Sequence, residues 1–503
     1  MTRTKKKPRI LIVTPEITYL PAGMGNMANR MSAKAGGLAD VSASLVSALF
    51  HLGADVHVAF PHYRKMFHVD VGHLISDELR RYQERLPNSR IHLAEDRMFY
   101  YRSSVYSNYN EENPRLALAF QRETINHIIG EVQPDLIHCN DWMTGLIPAM
   151  SRRLGIPALF TIHNIHTHKL TLEQVENFGI DAAEFWGNLY YERQPLNYEE
   201  TRATNPVDLL ASGVFAAHHI NTVSPTFLRE IVEGKHDFVP DAIRREIQAK
   251  YYAGCAEGVL NAPDESYDPG TDEALPVRYN AYNVADGKLA AKRVLQRELG
   301  LDQNDRAPII FWPSRLDPMQ KGCSLLSDVL YRLVHRYWDE GLQFAIIANG
   351  SYQHVFRDIA NFHGIQNRVA VCDFDERLSR LGYAASDFML MPSLFEPCGL
   401  PQMVAPLYGT LAIARNTGGL HDTVIPLDAA SQTGNGILFN DYDSGAILWA
   451  VDQAMRFHRL PDELRNSNLQ RVMLESHERF THEVCARAYI DMYERMLERP
   501  LVP

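Results

Sequence analysis

Short, nearly continuous apolar runs punctuate this chain, with segments of helical periodicity between them. Arg9–Thr14 reads as a strand buried on both faces, since no polar alternation interrupts Ile10, Leu11, Ile12 and Val13. Ala39–Leu52 predicts a helix, with Ala43, Val46, Ala48 and Leu49 supplying its apolar faces. Asp55–Phe60 predicts the next strand, stopped by Pro61. Asp135–Cys139 and Ala158–Ile162 follow as strands with a helix, Gly145–Leu154, between them, and His219–Pro225 gives a late strand. Asn261–Val284 is rich in Pro, Asp, Glu and Gly and predicts irregular structure around a connection between domains. Alternation resumes with strands at Pro308–Trp312, Phe344–Ala348, Val369–Cys372 and Phe388–Met391. Strand–helix alternation on both sides of the break predicts an α/β protein of two doubly wound, Rossmann-like domains. Ligands of such sheets bind beyond the carboxyl ends of the strands, so the expectation is a shared interdomain cleft. No solenoid repeat or low-complexity stretch interrupts this plan.

The chain has 503 residues and 46% hydrophobic composition, enough for two or three domains with proper cores. A net charge of −11 argues against a nucleic-acid partner, and the basic Thr4–Arg9 cluster reads as a solvated tail. No long apolar run predicts a membrane span, and no apolar segment follows the basic start as a secretory signal would. Cys139, Cys255, Cys323, Cys372, Cys398 and Cys485 are scattered, with no C-x-x-C pair. Neither a zinc site nor a disulfide framework is expected, and a reducing cytoplasm fits.

The chemistry concentrates in a few turns. The apolar strand Phe388–Met391 runs into Pro392-Ser393-Leu394-Phe395-Glu396-Pro397-Cys398-Gly399-Leu400, and Thr417-Gly418-Gly419-Leu420 follows about 20 residues later. Near the start stands Lys34-Ala35-Gly36-Gly37-Leu38. Two Gly-Gly-Leu turns at strand-to-helix junctions aim backbone N–H groups at anionic oxygens, and a diphosphate is the economical ligand. Arg315 and Lys321 follow a strand and offer a bidentate fork and a point charge; alone, they read first as solvated surface cations. Gly23-x-Gly25-x-x-Ala28 is a nominal dinucleotide fingerprint. It does not sit at a strand end, and no acid follows the next strand to hold a ribose, so NAD is not expected. His166 and His168 near His163 raise a metal, but no carboxylate-and-His ligand set accompanies them.

Together, Lys34–Val41, His138–Trp142, Thr161–Asn164, Ser314–Gly322 and Asp387–Val424 resemble the bacterial glycogen synthases and plant starch synthases, over Ile10 to about Tyr493. The resemblance implies a GT-B fold. Residues 1–262 would form the acceptor-side domain of starch synthase catalytic type and 263–485 the nucleotide-sugar domain, with a helix in 486–503 returning to the first. It implies a retaining glucosyltransferase of glycogen biosynthesis, moving glucose from ADP-glucose to the nonreducing end of an α-1,4-glucan without metal or cofactor. By resemblance Asp141, His163, Arg315, Lys321 and Glu396 are catalytic. Glu16, Lys34, Gly36, Gly37, Asn164, Asn261, Phe374, Cys398, Gly399, Leu400, Gly418 and Gly419 would bind substrate, with Phe374 stacking on the base. Bland readings stand beside these: Asp141 as a helix N-cap, His163 as a capped core residue, Phe374 as core and Asn261 as a turn residue. A UDP-glucose enzyme, a small-acceptor enzyme and a noncatalytic glucan-binding homologue are the alternatives. The sequence leaves oligomeric state open. Departures from the family pattern are a one-residue-longer Arg315–Lys321 loop, Pro401 for a usual Thr and Val404 where related transferases carry a second glutamate. A long Ile17–Ala33 loop, with Gly23, Gly25, Met24, Met27 and Met31, reads either as a surface insertion or as an adaptable lid on the acceptor side, and the lid is the expectation.

Overall fold

Ile10, Leu11, Ile12 and Val13 are all 0% exposed, as a strand without alternation requires when helices cover both faces of its sheet. The computed structural model describes residues 7–25, 28–67 and 90–502. Thr4–Lys6 of the basic tail and Met27 of the long loop lie outside these residues. The chain forms two compact units: Met1–Val223 with Leu228–Asn261 and His482–Pro503, and Ser224–Phe227 with Ala262–Thr481.

In the first unit the strands are β1 Arg9–Val13, β2 Asp55–Pro61, β3 Ile91–Ala94, β4 Leu136–Asn140, β5 Ala158–Ile162, β6 Lys169–Leu170, β7 Val207–Asp208, β8 His219–Thr222 and β9 Ala256–Gly258. Among the described residues a parallel sheet runs β3-β2-β1-β4-β5-β8-β9, and β6 and β7 form a small antiparallel pair. Register is fixed through the centre, with Ile10 opposite Val56 on one side and Leu136 on the other. The order reverses between β1 and β4, which is where an open parallel sheet binds its ligand. Pro61 closes β2 as its last residue rather than standing outside it. The predicted Gly145–Leu154 helix begins as a single turn at Trp142–Thr144 and continues as Ile147–Leu154.

A buried polar chain ties the last helix, His482–Leu497, to this sheet. His138 on β4 bonds the Tyr493 hydroxyl at 2.7 Å and Thr161 on β5 at 2.6 Å. Thr161 donates to Asn221 on β8, whose amide donates to the Tyr489 hydroxyl at 3.0 Å. Burial pushes the His138 imidazole down to about 3, so it is a neutral linker.

In the second unit β10 Ile309–Trp312, β11 Gln343–Ile347, β12 Val369–Cys372, β13 Phe388–Met391, β14 Leu411–Arg415 and β15 Gly436–Phe439 form a parallel sheet ordered β12-β11-β10-β13-β14-β15. Its reversal point lies between β10 and β13. Residues 262–280 carry no helix or strand, as the Pro- and Gly-rich composition predicts, and a helix starts at Val284. No described helix is long and apolar enough to cross a membrane.

Candidate active site

Both reversal points are lined by predicted residues. After β1 the chain reaches Glu16, 2% exposed and fully engaged. Its Oε2 accepts the Ala35 and Gly36 N–H groups at 2.8 and 2.9 Å, and its Oε1 accepts the Tyr106 hydroxyl at 2.8 Å. The amide of Gly36 therefore meets a carboxylate of the protein itself, not an open anion site. Lys34, half exposed, pairs with Asp40 in the first turn of the helix Gly37–His51 at 2.7 Å. Burial, followed by the Glu16 charge, drives the Tyr106 hydroxyl far above its ordinary pKa, so it stays a donor.

Asp141 follows β4 with φ +59° and ψ 177°, a region nearly reserved for glycine. Such a conformation costs about 1–3 kcal/mol and persists only where the surroundings fix it. The Asp141 N–H donates to Thr161 O at 3.0 Å, while its side chain accepts the His163 N–H at 2.8 Å and the Asn164 amide at 2.9 Å. The side chain does not act as the N-cap: it makes no capping bond, because both oxygens face the end of β5. Burial pushes its carboxyl up to about 7 against those two hydrogen bonds, with the Glu16 charge adding to the rise.

His163 is set by Asn140. The Asn140 amide donates to Val13 O at 3.1 Å, which turns its Oδ1 toward His163 Nε2 at 2.9 Å. Nε2 then carries the proton and Nδ1 is left as an acceptor. Burial holds this imidazole down at about 3, so the ring is neutral.

In the second unit the loop after β10 is zipped to the loop after β13. Leu394 N–H donates to Gln320 O at 2.7 Å, and the Gln320 amide reaches Phe395 O at 3.3 Å. This places Lys321 Nζ 2.7 Å from Glu396 Oε2, and Ser393 Oγ donates to the same oxygen at 3.1 Å. Glu396 is buried and Lys321 nearly so, with side chains 6% and 12% exposed. Arg315 is exposed, and its guanidinium has no hydrogen bond or ion pair among the described residues. The expectation for Gly419 changes: its N–H donates to Glu396 O at 2.9 Å instead of pointing at an anion. Gly418, at φ +47°, and Gly419 are glycines for closeness, since a Cβ on either meets the carbonyl oxygen of Glu396 or of Cys398, respectively, at 2.0 Å. Cys398 is buried, and its carbonyl and that of Gly399 both accept the Gln402 amide. Leu400 precedes the short helix Pro401–Leu407, whose proline stands where a helix has no use for an N–H.

The sequence comparisons match these two units. The model of the starch synthase catalytic domain matches residues 9–259, and that of glycosyl transferases group 1 matches residues 299–471. A glycogen synthase of Syntrophotalea carbinolica is 32% identical over 495 residues, covering 93% of this chain and 96% of the relative. One from Moorella thermoacetica is 32% identical, covering 98% of both. The chain belongs to the glycogen synthase family. Among solved structures, the catalytic domain of starch synthase IV from Arabidopsis thaliana, described as bound to ADP and acarbose, superposes with a TM-score of 0.76 at 24% identity, covering 98% of this chain and 100% of that one. Sucrose-phosphate synthase from Thermosynechococcus elongatus gives 0.58 at 17%, again over 98% of this chain and 100% of the neighbour. The fold is GT-B.

Against that family background, the first unit gathers Glu16, Gly36, Asp141, His163 and Asn164, and the second gathers Lys321, Glu396, Cys398, Gly418 and Gly419. Phe374 is 49% exposed, which excludes the core reading; its N–H is tied to Asn349 at 2.9 Å. Asn261 is buried with an Oδ1 that has no partner among the described residues. Tyr106 and Asn140 were not anticipated. Asn140 lies within His138–Trp142, and a polar residue ending a buried strand is its signal. Tyr106 lies in a polar, aromatic stretch without period or motif. The Ile17–Ala33 loop is closed at its base by Ile17 and Ala33, paired at 3.1 and 2.7 Å. Met24 and Met31 are buried, so the described part of the loop packs against the fold rather than standing free. Among the described residues no group of three or more His, Cys, Asp or Glu is arranged to hold a metal.

Proposed function

We propose that this protein is an ADP-glucose:α-1,4-glucan glucosyltransferase that retains anomeric configuration. The observation that carries the reading is the buried Lys321–Glu396 pair, zipped in place between β10 and β13 with the uncommitted Arg315 on the same loop. Lys321 and Arg315 neutralise the departing diphosphate, and Glu396 takes hydroxyls of the transferred glucose. Phe374 offers a flat face to the base. In the first unit Asp141 and Asn164 orient the sugar and the acceptor. His163, neutral, sits by the anomeric carbon without adding positive charge where oxocarbenium character develops.

In the transfer the bond from C1 to the phosphate oxygen breaks and its electron pair leaves with ADP. The 4-hydroxyl of the glucan attacks C1 on the same face, and its proton passes to the departing phosphate oxygen. No pair of carboxylates with glycosidase spacing is assigned, which favours this same-face route over a double displacement. The test incubates the protein with ADP-glucose or UDP-glucose, with and without glycogen, and measures nucleotide release and glucan growth. Glycogen-dependent release of ADP is expected. Turnover of UDP-glucose alone overturns the donor assignment, and binding of glucan without turnover of either donor overturns the enzyme reading.

A further inference from the structure

The segment after Asn164 carries two histidines that the transfer chemistry does not use. His166 is exposed and His168 half-buried. Their Nε2 atoms face each other at 3.2 Å. Two imidazole nitrogens about 2.05 Å from one ion lie ~2.9 Å apart at a right angle and ~3.3 Å apart at the tetrahedral angle. The observed separation falls between these limits, so the spacing suits one shared ion.

The pair is also braced. The buried indole of Trp142 packs against the His168 ring at 4.6 Å and against the His166 ring at 5.6 Å. The loop is pinned by His166 N–H to Asn164 Oδ1 at 2.8 Å, Thr167 Oγ1 to Asp208 at 2.8 Å and Leu209 N–H to His168 O at 3.0 Å. A ligand pair held this firmly loses little freedom on binding. No described partner occupies Nδ1 of either ring, so each proton has a place to go when Nε2 becomes a ligand. Partial burial lowers both imidazoles below their ordinary pKa, with His166 adding to the effect on His168, which keeps them neutral at pH 7.

We propose that His166 and His168 form a two-imidazole binding site for a divalent transition cation of the nickel, copper or zinc class, with water completing the coordination. Imidazole donors favour these ions over magnesium or calcium, and copper binds tightest. The site is no part of the transfer chemistry. Because Asn164 Oδ1 holds His166 N–H while Asn164 Nδ2 holds Asp141, an ion here stiffens the loop that presents the sugar-facing amide.

The experiment uses the full chain stripped with chelator, titrated with CuCl2 and NiCl2 by calorimetry, with electron paramagnetic resonance of the copper form. One saturable site is expected, with copper hyperfine structure from two nitrogens. His166→Gln and His168→Gln should each weaken it at least about tenfold, since even supporting partners of a metal site are worth that much. Unchanged metal-free turnover in both variants would certify their fold. Equal affinity in both variants, a signal from a single nitrogen or from sulfur, or no saturable binding overturns the site and leaves the two rings as a hydrogen-bonded pair.

Discussion

Replacing Gly419 by alanine tests whether the second Gly-Gly-Leu turn serves closeness or anion binding. The added methyl carbon would lie 2.0 Å from Cys398 O and 2.5 Å from Cys398 C and Cα. A tolerable carbon–oxygen approach is about 3.3 Å, so the Glu396–Cys398 segment must retreat by about 1.3 Å. That retreat stretches the bond from Gly419 N–H to Glu396 O and carries the Glu396 carboxylate with it. Misplacing a reacting group by about 1 Å costs about 100-fold in rate. Overpacking of this kind also costs about 1–3 kcal/mol of stability. Initial rates of ADP release from ADP-glucose with glycogen, paired with thermal melts, should show a soluble variant with a modestly lower Tm and kcat reduced about 100-fold. Gly187→Ala, where a Cβ meets nothing within 4 Å, is the control and should change neither. A folded Gly419→Ala protein with wild-type kcat would refute the packing argument.

Other outcomes follow from the same geometry. Lys321→Ala strands a buried carboxylate and should cost about 3–5 kcal/mol of stability and about 100-fold or more in kcat/KM; adding Glu396→Gln should restore stability but not rate, as denaturant titration and kinetics will show. The Asp141 carboxyl, pushed from 3.8 up to about 7, binds a proton more tightly folded than unfolded, so its stabilisation is full below about pH 4 and lost as pH rises through 7. Asp141→Asn should therefore gain stability relative to wild type from pH 4 to 8, by about 4 kcal/mol at most, while losing turnover; parallel Tm profiles for the two proteins would count against it. Tyr493→Phe leaves His138 Nδ1 unpaired in the core and should cost about 1–3 kcal/mol by urea titration. Tyr19 is 60% exposed on the Ile17–Ala33 loop: if the loop covers the acceptor, Tyr19→Ala should raise KM for glycogen and leave that for ADP-glucose unchanged, and equal kinetics would reduce the loop to packing.

The central strands were legible because burial on both faces leaves a continuous apolar signature, as at Ile10–Val13 and Phe388–Met391. The three-residue strand Ala256–Gly258 and the two-residue pair at Lys169 and Val207 are too short to leave one. Candidate residues were readable one by one, but their partners were not. Lys321 finds Glu396 across 75 residues, and Glu16 finds Tyr106 across 90. Neither spacing has a period. The positive φ at Asp141 is invisible in an aspartate that looks like any helix cap. The glycines were legible as turns, but whether they receive an anion or a neighbouring carbonyl depends on where another strand's loop passes.

The polar chain from His138 to Tyr493 has a consequence for the order in which the protein is made. Its sheet members, His138, Thr161 and Asn221, leave the ribosome long before Tyr489 and Tyr493 do, with the whole of Ala262–Thr481 in between. Asn221 and Tyr489 are 268 residues apart, and at about 5–20 residues per second that interval lasts roughly 13–54 s. Throughout it, the first sheet carries a polar cluster awaiting its lid, open to water and to any hydroxyl that wanders in. The first unit to be synthesised is thus the last to be sealed.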